Sequence, residues 1–196
     1  MSRSFSLTYD YLCPFARIAN EAVVTALRAG ADWEVTFVPF SLAQTKVAAG
    51  APAAWDRPAG GEHTRGVLAH TWAIAVRESF PDRFVDFHTA LYDARFDSAR
   101  DVDDAAVLGD VAASVGLDGA ALAEIVASGK PAQLLATSHR DAVDRWAVFG
   151  VPTFISGEEA VFVRLMERHR PEDLEQVLDL LDWTRLNEFK RTRVPR

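Results

Sequence analysis

The stretch Asp10-Tyr11-Leu12-Cys13-Pro14-Phe15-Ala16 constrains this chain most, because a short apolar run ends there and a helix begins on the single cysteine. A thiol in the first turn of a helix faces backbone N–H groups without partners and the positive end of the helix dipole, and both favour thiolate over thiol. Pro14 suits the first helical position, since it has no N–H to leave unpaired. Against this stands the ordinary role of a lone intracellular cysteine, that of a small buried hydrophobe. These seven residues alone leave the two readings balanced.

Upstream, Ser4 to Tyr9 places Phe5, Leu7 and Tyr9 on one face, the period-two pattern of a half-buried strand. From Pro14 the period changes. Arg17, Asn20, Glu21, Thr25 and Arg28 make a polar stripe at helical spacing, while Phe15, Ile18, Ala22, Val23, Ala26 and Leu27 fill the other faces. Gly30 ends this helix as a C-cap. Trp33 to Phe40 alternates again, with Trp33, Val35 and Phe37 on one side and Pro39 closing the run. The spacing predicts strand, helix, strand, and a right-handed crossover makes the two strands parallel. Ser41 to Gly61, punctuated by Gly50, Pro52, Pro58 and Gly60-Gly61, reads as a loop placed to border the site.

Helices are predicted next over 62–80, 82–96, 102–115 and 119–128. Phe84, Phe87, His88, Leu91 and Tyr92 recur at i, i+3, i+4, i+7 and i+8, which defines an amphipathic helix. Asp101, Asp103 and Asp118 stand where N-caps or first-turn carboxylates belong, and Gly116 and Gly129 where helices stop. The acidic run from Asp97 to Asp104 lacks the calcium-loop pattern and its distal glutamate, so capping explains it better. Pro131 opens a helix running to Phe149 with Gly150 as C-cap. Val151 to Ile155 and Ala160 to Leu165 then form an antiparallel hairpin about a turn at Gly157-Glu158-Glu159. A last helix starts at Pro171 and buries Leu174, Val177, Leu178 and Leu181.

Composition narrows the function. With 196 residues, 49% of them hydrophobic, the chain can bury a full core. A net charge of -7 argues against non-specific nucleic-acid binding and against an anionic membrane surface, both of which need a positive face. The basic tail Lys190-Arg191-Thr192-Arg193-Val194-Pro195-Arg196 is the exception and reads as a solvated end. The first dozen residues alternate too strictly for a signal peptide, and no run is long enough to span a bilayer. One cysteine makes no internal disulfide, so a cytoplasmic location is the expectation.

The order strand, helix, strand, helical block, helix, hairpin, helix resembles an α/β thioredoxin-like fold with an inserted all-helical domain. On that reading 1–61 and 131–196 form the thioredoxin-like domain and 62–130 the insertion. Cys13-Pro14-Phe15-Ala16 stands where the DsbA-like oxidoreductases carry Cys-x-x-Cys, and Gly150-Val151-Pro152-Thr153-Phe154 resembles their cis-proline segment. X-Pro is the one peptide bond that goes cis at modest cost. The resemblance implies that Cys13 is the nucleophile, and that Tyr11, Pro14, Phe15, Ala16, Val151 and Pro152 contact the substrate or thiol. Ala16, however, replaces the second cysteine, and a methyl group cannot resolve a mixed disulfide. Monothiol chemistry remains: Cys13 attacks a disulfide, and a low-molecular-weight thiol from solution releases it. The implied partners are that thiol, a small disulfide or a protein disulfide, with a homodimer left open and no bound cofactor expected.

Two other readings compete. Kappa-class glutathione transferases and 2-hydroxychromene-2-carboxylate isomerases look similar in layout and carry a serine at the position of Cys13, activating a bound thiol instead. A catalytically degenerate binding module is the third. Among the remaining candidates, His63, His70, His88, His139 and His169 show no metal-ligand spacing, and His63 and His70 share a helix face near the loop only by a seven-residue coincidence. Arg164, on the last predicted strand, either meets an anionic thiol or snorkels from the sheet, the second being commoner. A charged Asp10 so close to Cys13 would raise the thiol's pKa.

Overall fold

The computed structural model describes residues 2–188, 191 and 193. Except for Arg191 and Arg193, the basic tail from Lys190 to Arg196 lies outside the described residues.

Strand β1 (Arg3–Tyr9) and strand β2 (Trp33–Pro39) flank helix α1 (Pro14–Arg28) and pair in parallel, with Phe5 opposite Val35 and Leu7 opposite Phe37. Helices α2 (Val67–Ser79), α3 (Pro81–Phe96), α4 (Ala105–Ser114) and α5 (Gly119–Ala127) follow, and α6 (Lys130–Trp146) leads back to the sheet. Strands β3 (Thr153–Ser156) and β4 (Glu159–Phe162) and helix α7 (Glu172–Leu181) complete the chain. The sheet order is β2-β1-β3-β4, with β3 antiparallel to both β1 and β4.

Periodicity locates these elements well, and their ends differ for local reasons. Helix α6 stops at Trp146, three residues before Phe149, because Ala147 turns into the left-handed region at φ 52°. Its N–H and that of Val148 close the helix on the Val143 and Ala142 carbonyls, so Gly150 is not the cap. Strand β3 starts at Thr153 because Val151 and Pro152 stand off the ladder, where a residue without an N–H belongs. Strand β4 ends at Phe162, yet the chain stays at the sheet: the Val163 N–H donates to the Pro152 carbonyl at 3.2 Å. Arg164 therefore lies beyond the strand and beside the Val151-Pro152 segment. The residues from 41 to 61 contain two single 3-10 turns, and the Leu42 N–H reaches back to Asp10.

Asp118 caps α5, while Asp104 caps α4 in place of Asp101 or Asp103. Both carboxylate oxygens of Asp103 accept instead from the Gly66 N–H at 2.8 Å. Gly66 has φ 84°, and a Cβ there would lie 3.3 Å from Leu12 and 3.5 Å from Asp10, so the start of α2 can sit this close to the Cys13 loop only as glycine.

One hydrophobic core runs from Phe5, Leu7 and Tyr9 on β1 through Trp72, Phe87, Leu91 and Leu122 of helices α2, α3 and α5, and on to Leu174 and Leu178 of α7. Within the polar stripe of α1, Arg17, Asn20 and Glu21 are all buried. They face α3 and the segment after β4, where Arg17 bonds Glu21 (2.6 Å), Asp93 (3.3 Å) and Asp97, and Arg168 bonds both Glu21 oxygens (2.7 and 2.8 Å). Buried charges persist where they are paired in this way.

Candidate active site

The loop after β1 is held by Asp10, whose two carboxylate oxygens accept from the Leu12 and Leu42 N–H groups, each at 2.8 Å. The Cys13 N–H donates to the Asp10 carbonyl, which turns the chain into α1 with Cys13 as N-cap and Pro14 inside the first turn. The Cys13 sulfur accepts from the Ala16 N–H at 3.4 Å, and its S–H donates to the Val151 carbonyl at 3.5 Å. The Val151-Pro152 bond is cis. Two segments 138 residues apart thus meet at one sulfur.

Around it lie Phe40, Ala142, Val148 and Ile155, with Phe15, Leu42, Trp146 and Ala160 packed against them. In this apolar setting the thiol is raised above its ordinary pKa. Burial pushes it up, the Ala16 and Phe15 amides pull it down, the Asp10 charge pushes it up, and the Arg164 charge pulls it down. The helix-start amides do favour the thiolate, as expected from the sequence, but desolvation outweighs them. The upward push of Asp10 is as its charge requires.

The predicted contact residues separate into two groups. Pro14 is exposed and Phe15 half-buried at the mouth, and the buried Val151 presents its carbonyl to the thiol with Pro152 beside it. Ala16 is fully buried and offers only its N–H to the sulfur. Tyr11 does not reach the mouth. Its ring turns inward with none of its surface exposed, packed among Tyr9, His70, His88 and Tyr92. The reason is a partner the sequence did not reveal. Tyr11 Oη bonds His88 Nδ1 at 2.7 Å, His88 Nε2 bonds Asn20 Oδ1 at 3.1 Å, and Asn20 Nδ2 donates to the Ala16 carbonyl at 2.7 Å. This chain is consistent with one tautomer, a neutral His88 accepting from Tyr11 and donating from Nε2. Burial lowers His88 to about 3 and raises Tyr9 to about 12, so both are neutral at pH 7. A histidine set in an otherwise apolar helix face was the signal for this buried network.

His70 is fully buried with Nε2 3.4 Å from Asp10, and neither ring nitrogen has a hydrogen bond among the described residues. His63 lies ahead of α2, beside Glu62, so the two histidines share no helix face. Among the described residues no group of three or more His, Cys, Asp or Glu is placed to hold a metal ion. No described helix is long and apolar enough to cross a membrane.

At the outer edge of the site the Arg164 guanidinium carbon lies over the Phe15 ring, 5.2 Å from its centre, and 5.7 Å from the centre of the Phe162 ring. Phe149, 71% exposed, meets Phe162 at 5.1 Å.

A sulfur at the N-cap of the helix after β1, facing the carbonyl ahead of a cis-proline at the start of β3, is the arrangement of a thioredoxin-like protein. The model for the DSBA-like thioredoxin domain matches residues 6–179, and the chain belongs to that family. Solved structures with the same fold include a 2-hydroxychromene-2-carboxylate isomerase, at TM-score 0.66 and 18% identity over 93% of this chain and 97% of the other. Another is the cytosolic disulfide reductase DsbM from Pseudomonas aeruginosa with GSH, at TM-score 0.64 and 19% identity over 93% of this chain and 100% of the other. BdbD from Bacillus subtilis, in its oxidised form, aligns at TM-score 0.60 and 17% identity over 91% and 86%. At such identities the likeness is one of fold. No curated protein matches the chain by sequence.

Proposed function

We propose that the protein performs thiol–disulfide exchange with Cys13 as its one working sulfur. The Cys13 thiolate attacks a disulfide, binds one half as a mixed disulfide and releases the other half as a thiolate, which takes up a proton. An external low-molecular-weight thiolate then attacks the substrate's sulfur, carries it away as a new disulfide and leaves Cys13 as the thiolate. One disulfide is consumed and one is made, so the electrons balance without a metal or bound redox group.

The observation that carries this reading is the pair of contacts on the sulfur. Val151 accepts from the resting thiol, and the Ala16 amide is in place for the thiolate. Ala16 brings that amide but no second sulfur, and the chain has no other cysteine. The Pro152 carbonyl is already taken by Val163, which leaves backbone pairing with an extended substrate to Val151. Such a cycle suits a compartment with a reduced thiol pool, the cytoplasm being the ordinary one.

The raised pKa of Cys13 favours one second reading, in which the protonated thiol donates to a bound external thiolate, as a transferase or isomerase site requires. Incubation with oxidised low-molecular-weight disulfides followed by intact-mass measurement separates the two. Exchange predicts one mixed-disulfide adduct, lost in Cys13→Ser together with all turnover. A Cys13→Ser variant that keeps measurable activity sinks the exchange reading and supports the second.

A further inference from the structure

We infer that Arg164 selects the external thiol by charge, so that the site prefers an anionic thiol carrying a carboxylate. This rests on the exchange reading above. The Val163–Pro152 hydrogen bond fixes the backbone just before Arg164 at the edge of the sulfur site. The guanidinium lies over two rings, Phe15, two residues after Cys13, and Phe162, the last residue of β4. Cation–π contacts of this kind restrict where the guanidinium goes, and its planar fork matches a carboxylate in two parallel bonds. Arg17 and Arg168 each hold two carboxylates or more, whereas Arg164 is exposed and has no carboxylate partner among the described residues. Its charge also reaches the sulfur, where it is among the influences that lower the thiol's pKa. In a chain of net charge -7, a cation at the sulfur site with no carboxylate partner among the described residues gives an anionic thiol a local attraction.

The test uses the intact protein as wild type and as Arg164→Ala, Arg164→Glu and Arg164→Lys. Cys13 is first converted to its pyridyl mixed disulfide with dithiodipyridine. Release of pyridinethione is then timed with mercaptopropionate, mercaptoethanol and cysteamine, which are anionic, neutral and cationic. Relative to mercaptoethanol, Arg164→Ala should slow mercaptopropionate about 3- to 10-fold. Arg164→Glu should slow it further and speed cysteamine, and Arg164→Lys should restore most of the wild-type ratio. High salt should shrink the wild-type preference. Equal changes for all three thiols, or none, overturn the inference, because Arg164 would then act only on the Cys13 sulfur or on nothing. A second arm needs no mixed disulfide: the ratio of iodoacetate to iodoacetamide alkylation of reduced Cys13 should fall in Arg164→Ala and recover in Arg164→Lys. If that ratio follows Arg164 while no mixed disulfide forms, the exchange reading fails and the charge selection stands. If mixed disulfides form and exchange but neither ratio moves, the exchange reading stands and the charge selection fails.

Discussion

At its first turn α1 carries a sulfur whose partners are one amide and one carbonyl in an otherwise apolar shell. One to two turns further on, the same helix buries Arg17, Asn20 and Glu21, with carboxylates, guanidinium groups, a histidine and a carbonyl around them. The difference separates a group with partners for two protonation states from groups whose partners suit only one. The sulfur has a partner for its protonated form and another for its ionised form, and burial tips the balance toward the protonated one. The charges and amides below it satisfy one arrangement, and that arrangement fixes the Ala16 carbonyl and with it the turn that carries the Ala16 N–H.

The largest test of this contrast is acid. Folding lowers His88 to about 3 and His139 to about 4, so the folded state binds fewer protons than the unfolded chain between those values and about 6.5. Their stabilising share is therefore present above about pH 6.5 and lost as pH falls through that window. Urea denaturation at pH 7 and pH 4 should show His88 alone contributing a loss on the order of 3 kcal/mol. A variant such as His88→Leu should lose the part of the slope that His88 supplies, although it begins less stable.

Next in size is the buried ion network. Glu21→Ala leaves Arg17 and Arg168 short of their shared carboxylate, and such a one-sided deletion costs about 3 kcal/mol, read as a lower urea midpoint at pH 7. A loss below about 0.5 kcal/mol would show that Asp93 and Asp97 take over and that the network is not cooperative. Smallest is the effect at the sulfur. The pH profile of Cys13 alkylation should have its midpoint above that of an ordinary cysteine, about 8.5. A midpoint below this value would mean that the helix-start amides win over burial, and would erase the difference between the two regions.

Much of this could be read from the amino acids in order. Period-two and period-3.6 patterns locate β1, α1, β2, the helical stretch from 67 to 127 and the buried stripe of α7, because each depends on neighbours within a few residues. The Cys13-Pro14 junction and the Val151-Pro152 segment also stand out as local signals. Sequence pattern alone groups Arg17, Asn20 and Glu21 in a polar stripe without naming their partners, offers Tyr11 as a substrate or thiol contact, and leaves Arg164 between an anionic thiol and a place on the sheet. In each case the deciding partner lies far along the chain: Arg168 for Glu21, His88 for Tyr11, and Phe15 for Arg164.

The sequence by itself determined that this chain carries one cysteine and so makes no disulfide within itself, since composition decides that without reference to shape. Only the tertiary structure decided what that sulfur feels. Hydrogen bonding and desolvation depend on which atoms the fold brings together, and Cys13 meets a carbonyl 138 residues away and feels the charges of Asp10 and of an arginine beyond the end of the last strand.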